Sequence, residues 1–290
     1  MDKKNNLSTK INNLVFDLDG TLLNSQKEIL PSSIKVLKRL QKEGKKLIFC
    51  TGRPWYFVVK YTKLIAPDLP IISCNGSLVY DWKNHKTIYS LAFEKATVYK
   101  IIDILIKNEI VFLIYTTKKM IAIGNLKNHI NWFEYLKREN AKIEEDQYKF
   151  DIDFYDFQDF EKKYIQDDVV VKFLLIQADS KAENVAKATK LLEAEEDIYF
   201  VKSQDKVIDI MTQGSNKGKG LEFLAQEYGL DLEKTIVFGD ASNDLPMFAV
   251  AKYSVAMGQA KPEIKSAANF TTQTNNDDGI AYFFDNEWFN

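Results

Sequence analysis

Short apolar runs alternate with amphipathic stretches at both ends of this chain, and that rhythm constrains the fold more than any other feature. In the first quarter, "NLVFD", "KLIFCT" and "PIISCN" read as buried strands. Between them, "PSSIKVLKRLQKEG" reads as a helix opened by Pro31 and stopped at Gly44, and "PWYFVVKYTKLI" as a second helix. The rhythm returns near the C-terminus, where "KGKGLEFLAQEYGL" reads as helix, "KTIVFGD" as strand, "SNDLPMFAVA" as helix and "YSVAMG" as strand. Such alternation predicts an α/β fold: a Rossmann-like, doubly wound parallel sheet with helices on both faces.

The middle of the chain has another layout. "KTIYSLAF" is strand-like, "EKATVYKIIDILIKN" is an amphipathic helix, and "IVFLIYT" and "KMIAIG" flank the polar turn Thr117-Lys118-Lys119 as a hairpin would. A helix around 128–139 and an acidic, aromatic-rich region to Asp168 follow. Then come "VVVKFLLIQ", a helix at 181–195, "IYFVKS" and "KVIDIM". Strands that adjoin in sequence suit an open, largely antiparallel α+β sheet. The expected organisation is a flexible polar tail at 1–11, a Rossmann-like core at 12–81 and 214–290, and an inserted α+β cap at 82–213. The linkers are expected near 77–86 and 203–215, and 290 residues suffice for two compact units.

Composition narrows the chemistry. With His85 and His129 as the only histidines, His-based metal sites and serine-type triads have little material. Cys50 and Cys74 lack metal-ligand spacing and cannot build a disulfide framework, which points to buried thiols in a reducing cytoplasm. A net charge of −2 gives no broad electrostatic case for nucleic acid or anionic membrane, and no apolar stretch would span a bilayer. Catalysis would rest on carboxylates, lysine and hydroxyls.

Four strand ends supply them. In "NLVFDLDGTLLN", Asp17 and Asp19 lie two apart where an open α/β sheet places its ligand crevice, so both carboxylates can face one pocket. In "CTGRP", Thr51 ends a strand, Gly52 admits close approach, and Pro54 opens a helix whose free N–H groups suit an anion. In "GSNKGKG", Lys217 near a helix start offers a cation for a transferring phosphoryl group, without the spacing of a nucleotide P-loop. In "FGDASNDLPMF", Asp240, Asn243 and Asp244 add hard oxygen ligands of the kind Mg²⁺ takes. Singly, each is better read as a turn or a cap; four in this order at strand ends are not. "FDIDFYD" at 150–156 has the Asp-x-Asp spelling without a Gly-Thr turn, and reads as a half-exposed strand or helix edge with its acids in water.

Together these motifs resemble the haloacid dehalogenase-like (HAD) superfamily of phosphatases. "SCNG" and the tail "GDASNDLPMF…AKYSVAMGQAKPEIKSAANFTTQTNNDDGIA" are similar in particular to its Cof-type branch, which carries a large inserted αβ cap. The resemblance implies a Mg²⁺-dependent phosphoric monoester hydrolase with Asp17 as nucleophile and Asp19 as acid and base. It implies Mg²⁺ held by Asp17, the Asp19 backbone carbonyl and Asp240, with Asp244 in support. The phosphate would lie against Leu18, Thr51, Gly52, Lys217 and Asn243. The expected partner is a small phosphorylated metabolite, and the chain would be a monomer or homodimer. A phosphomutase and a non-catalytic phosphometabolite sensor are the alternatives; the sensor would be expected to lose Asp17 or Asp19. Two positions depart from the pattern: Cys50 stands where Ala is usual, and Gln259 replaces the Asn of the late "MGNA", near the rim of the site.

Overall fold

Asn13–Phe16, a four-residue strand buried at every position, is the keystone of the main sheet. It pairs in parallel with Lys46–Phe49 on one side and Thr235–Gly239 on the other. Tyr253–Ala256 and Phe270–Thr271 extend the sheet beyond Thr235–Gly239, again in parallel. The computed structural model describes residues 7–204 and 206–288. Because the chain leaves the central strand first to one side and later returns to the other, right-handed crossovers place helices on opposite faces. Helix Pro31–Lys42 packs with Gly279–Asn286, and helix Lys217–Tyr228 with Leu245–Val250. The reversal of strand order falls between Asn13–Phe16 and Thr235–Gly239, which is where such folds bind their ligands.

Local sequence accounts for these elements. Pro31 occupies the first turn of its helix, Ser33, Val36, Leu37 and Leu40 form its buried stripe, and Gly44 takes φ 86° just beyond its end. The Asn216 side chain caps Lys217–Tyr228 by accepting from the Lys219 N–H at 3.0 Å, and left-handed Gly229 terminates it. Phe16 and Phe238, in register on neighbouring strands, stack at 4.9 Å, and Phe283, Phe284 and Trp288 continue that aromatic core.

The chain divides into two units. The first holds residues up to Arg53, Tyr61–Ile88 and Asn216 onward; the second holds Pro54–Lys60 and Tyr89–Ser215. The second has a six-stranded sheet in the order Ile198–Gln204, Val207–Thr212, Val170–Ile176, Phe112–Thr116, Met120–Gly124 and Ile152–Asp156. The hairpin expected around Thr117–Lys119 forms, and every pairing is antiparallel except Met120–Gly124 with Ile152–Asp156. That pair is parallel because helix Asn131–Ala141 intervenes as a crossover. Helix Lys95–Lys107 buries Val98, Ile101, Ile102 and Leu105 in the core of this unit.

Three expectations differ in detail. Residues 1–6 of the proposed tail lie outside the described residues, but Leu7–Lys10 is a helical turn with Leu7 and Ile11 buried. Lys45 Nζ holds that turn by donating to the Ser8 and Ile11 carbonyls, each at 2.6 Å. "PIISCN" supplies no full core strand. Ile71–Ser73 pairs antiparallel with Leu78–Asp81 and touches the main sheet through a bridge between Ile72 and Cys50. The helix read over 54–65 is α-helical only at Trp55–Val58 before tightening at Val59–Lys63. Its first residues pack within the second unit: Trp55 Nε1 donates to the Thr117 carbonyl at 3.0 Å, Tyr56 Oη to that of Lys119 at 2.7 Å, and Phe57 meets Tyr135 and Phe150 edge-on.

Candidate active site

The first strand delivers Asp17 to the crevice, buried with 5% exposure. Its Oδ1 accepts from Lys217 Nζ at 2.5 Å, and the same ammonium donates to Asp244 Oδ1 at 2.6 Å. Lys217 arrives from a distant helix start and is fully buried, an arrangement stable only because two carboxylates face it. The second oxygen of Asp244 accepts from the backbone N–H groups of Asp240 and Ala241 at 2.8 and 2.9 Å. That fixes the turn after Thr235–Gly239 and aims Asp240 at the same place. Thr21 Oγ1 donates to Asp240 Oδ1 at 3.3 Å.

Gly20 has φ 76°, and a Cβ on it would stand 2.3 Å from Asp240 Oδ2. Only glycine satisfies both the left-handed backbone and that close approach.

Asp19 does not join this cluster. Its carboxylate accepts from Arg53 Nε and Nη2 at 2.5 and 2.6 Å and from Lys27 Nζ at 2.7 Å. Burial alone would raise its pKa, but the guanidinium and the ammonium reverse that and hold it well below the usual carboxylate range. Thr51 is buried, its Oγ1 accepting from the Arg53 N–H at 3.2 Å. Gly52 lies against Asn75, whose Oδ1 accepts from Asn243 Nδ2 at 3.0 Å. Leu18 is buried, its carbonyl accepting from the Thr21 and Leu23 N–H groups. Cys50 is buried directly beneath, its Sγ 3.9 Å from the Lys217 carbonyl oxygen, and burial pushes its thiol far up.

The expected site residues all lie in the first unit. Asp17, Lys217, Asp240 and Asp244 form one group, Asp19 with its two cations a second, and Gly52 with Asn243 a third, while Leu18 and Thr51 are buried next to Asp17 and Gly52 in the chain. Arg53, Lys27 and Thr21 were given no part by sequence reasoning. Arg53 follows Gly52 directly, so its place after the Thr-Gly pair was the available signal. Asn75 has a left-handed backbone at φ 54° and contacts Asn243. The "FDIDFYD" copy forms the half-buried strand Ile152–Asp156 in the second unit, where Asp153 pairs with Lys119.

Asp17, Asp240 and Asp244 each offer a carboxylate oxygen, all within 4.8 Å of one another. Three carboxylates against the single Lys217 ammonium leave an excess of negative charge at a buried point, and hard oxygens suit a small divalent cation. The pKa values record the same strain. Burial pushes Asp240 up to about 7, with Asp244 adding and Lys217 opposing. Asp17 is raised by burial too, Lys217 opposing and Asp244 and Asp240 adding. Lys217 is disfavoured by burial, yet its carboxylate partners keep it charged beyond its ordinary range.

A doubly wound core with a carboxylate–lysine centre at its switch point is suited to phosphoryl transfer, which depends on positioning and charge neutralisation. The sequence profile of the haloacid dehalogenase-like hydrolases matches residues 14–284, and the chain belongs to that family. A Mycoplasma pneumoniae protein is 38% identical over 278 residues, spanning 96% of this chain and 97% of its own. Escherichia coli pyridoxal phosphate phosphatase is 30% identical, spanning 93% of this chain and 96% of its own. A Bacillus subtilis 5-amino-6-(5-phospho-D-ribitylamino)uracil phosphatase is 29% identical, spanning 94% and 96%. Among solved structures, a haloacid dehalogenase-like hydrolase from Bacteroides thetaiotaomicron superposes with a TM-score of 0.78 at 27% identity, covering 94% of this chain and 97% of its own. The enzyme class is that of the phosphoric monoester hydrolases. Among the described residues no helix is long and apolar enough to cross a membrane.

Proposed function

We propose that this protein is a Mg²⁺-dependent phosphatase of small phosphorylated metabolites, working through an aspartyl-phosphate on Asp17. The observation that carries the reading is the buried Asp17 carboxylate, 2.5 Å from Lys217 and grouped with Asp240 and Asp244. Asp17 attacks phosphorus, and Asp19 gives a proton to the leaving oxygen, then takes one from the water that hydrolyses the intermediate. The first duty needs the acid form of Asp19, so its contacts with Arg53 and Lys27 are surrendered before it protonates. Thr51, the Gly52 N–H, Leu18, Asn243 and Lys217 receive the phosphoryl oxygens. Asp17, the Asp19 carbonyl and Asp240 would hold the ion, with Asp244 bracing Lys217 and the Asp240 turn. When bound, Mg²⁺ supplies charge neutralisation at the phosphate and fixes it against the nucleophile.

The substrate class follows two relatives, named as phosphatases of pyridoxal phosphate and of 5-amino-6-(5-phospho-D-ribitylamino)uracil. Phosphate release from ring-bearing and sugar phosphomonoesters, with Mg²⁺ or with chelator, tests the proposal. Release that needs Mg²⁺ is expected. Silence across the set from folded protein with metal present would overturn it.

A pH dependence follows from Asp240 and Asp17. Their folded pKa values are raised, so metal-free folded protein keeps protons that the unfolded chain has released. The unfolded chain therefore binds fewer protons between about pH 4 and pH 7, and stability falls as pH rises through that window. Mg²⁺ takes the place of those protons. The gain in melting temperature from Mg²⁺ is therefore expected to grow from pH 5 to pH 8. Paired melts with and without Mg²⁺ check this, and a gain independent of pH would contradict it.

A further inference from the structure

Gln259, the departure at the rim, has a specific partner. Its Nε2 donates to the Gly20 carbonyl at 2.5 Å. The same peptide's N–H, on Thr21, donates to the Leu18 carbonyl at 3.3 Å, so the Gly20–Thr21 peptide plane is gripped from both sides. Thr21 Oγ1 in turn donates to Asp240 Oδ1, and the Gly20 Cα lies against that same carboxylate. The orientation of this one peptide therefore sets what Asp240 meets.

Gln259 is itself held. Its Oε1 accepts from the Asn275 N–H at 3.2 Å, and Asn275 Nδ2 donates to the Leu23 carbonyl at 2.8 Å. Asn276 Oδ1 accepts from the Ser25 N–H at 2.9 Å and from Ser25 Oγ at 2.8 Å. The segment presenting these side chains is ordered by its own bonds: Gly258 N–H to the Gln273 carbonyl, Gly279 N–H to that of Thr274, and Thr274 Oγ1 to Asp277. A rigid loop from the far end of the chain thus straps the turn that follows the two motif aspartates.

We propose that Gln259 is a positioning residue: through the Gly20–Thr21 peptide it fixes Thr21 against Asp240, and so sets the metal-holding geometry. The inference rests on the reading of Asp240 as a metal ligand. A misplacement of about 1 Å at such a group costs up to about 100-fold in rate, so a single hydrogen bond to the supporting peptide has leverage.

The test uses the full chain with Gln259→Glu, which keeps size and the acceptor for Asn275 but sets an anionic oxygen against the Gly20 carbonyl. Gln259→Leu removes both bonds. Mg²⁺ binding is read by calorimetry without substrate, and turnover by kcat, KM and the Mg²⁺ concentration for half-activity. Both variants are expected to bind Mg²⁺ about tenfold more weakly and to lose about tenfold in kcat, with KM for the ester within about twofold of wild type. Asn276→Ala, which releases Ser25 without touching the Gly20 carbonyl, is expected to leave Mg²⁺ affinity unchanged. If Gln259→Leu fails to fold, Gln259→Glu carries the test. Wild-type Mg²⁺ affinity and kcat in Gln259→Glu would overturn the proposal. So would equal weakening in Gln259→Glu and Asn276→Ala. A wild-type protein that binds Mg²⁺ but releases no phosphate would sink the phosphatase reading instead, and the calorimetric comparison would still decide this one.

Discussion

Asp17→Asn is expected to lose turnover by about 10⁴-fold or more while the fold gains stability. On the proposed mechanism the loss is that of the nucleophile, for which no neighbouring group substitutes. Asp19 is engaged with Arg53 and Lys27, and Asp244 is tied to Lys217 and to two backbone N–H groups. The gain follows from the raised pKa of Asp17, whose charged form is disfavoured by burial and by Asp244 and Asp240 beyond it. An amide removes that charge. Metal-free Asp17→Asn is expected to melt about 2 °C or more above wild type at pH 8, with the difference narrowing as pH falls toward about 4. Residual phosphate release near the wild-type rate would end the aspartyl-phosphate reading. An Asn variant melting below wild type at pH 8 would refute the charge argument separately.

Lys217→Met has the opposite signature in stability. Its ammonium is fully buried between Asp17 at 2.5 Å and Asp244 at 2.6 Å. Removing it leaves carboxylates facing one another out of water, a change that costs about 3–5 kcal/mol when one partner of a buried pair is deleted. The cost is expected at pH 8 without metal and shrinks both on acidification and with saturating Mg²⁺, because protons or the ion then supply the missing positive charge. Turnover is expected to fall about 10³-fold even with metal. Lys217→Arg is not expected to rescue it, since a planar guanidinium is too broad for the space a buried lysine fills. Denaturant unfolding at two pH values and kinetics at saturating Mg²⁺ check both halves. A Met variant as stable as wild type at pH 8 would show that the ion pair contributes nothing.

The sequence was most informative where chemistry and secondary structure coincide. Asp17, Thr51 and Asp240 each follow an apolar run, and strand ends of a doubly wound sheet must meet at one edge, so their convergence was legible. The hairpin Phe112–Thr116 with Met120–Gly124 was legible because both strands and their polar turn are local. The partners of Asp19 were not. Arg53 is 34 residues away from it, and Lys27 reaches it only because the turn beyond Gly20 folds back. Side-chain reach of that kind leaves no periodic trace. The parallel pairing of Met120–Gly124 with Ile152–Asp156 was hidden for a similar reason. An acidic, aromatic strand with intermediate burial at every position lacks the clean alternation that announces a sheet.

The assignment of Pro54–Lys60 to the second unit bears on how such proteins exchange parts. The chain passes from one unit to the other after Arg53, Lys60, Ile88 and Ser215, so the second unit is built from two separate pieces of gene. A graft that moved only residues 89–215 into another core would leave behind the Trp55 and Tyr56 donors to the Thr117 and Lys119 carbonyls, and the Phe57 ring against Phe150. Recombination at the last two junctions alone, after Ile88 and after Ser215, therefore transfers an incomplete module. Any chimera built from this chain inherits a seven-residue debt just after Arg53, and the recipient must settle it with aromatic residues of its own.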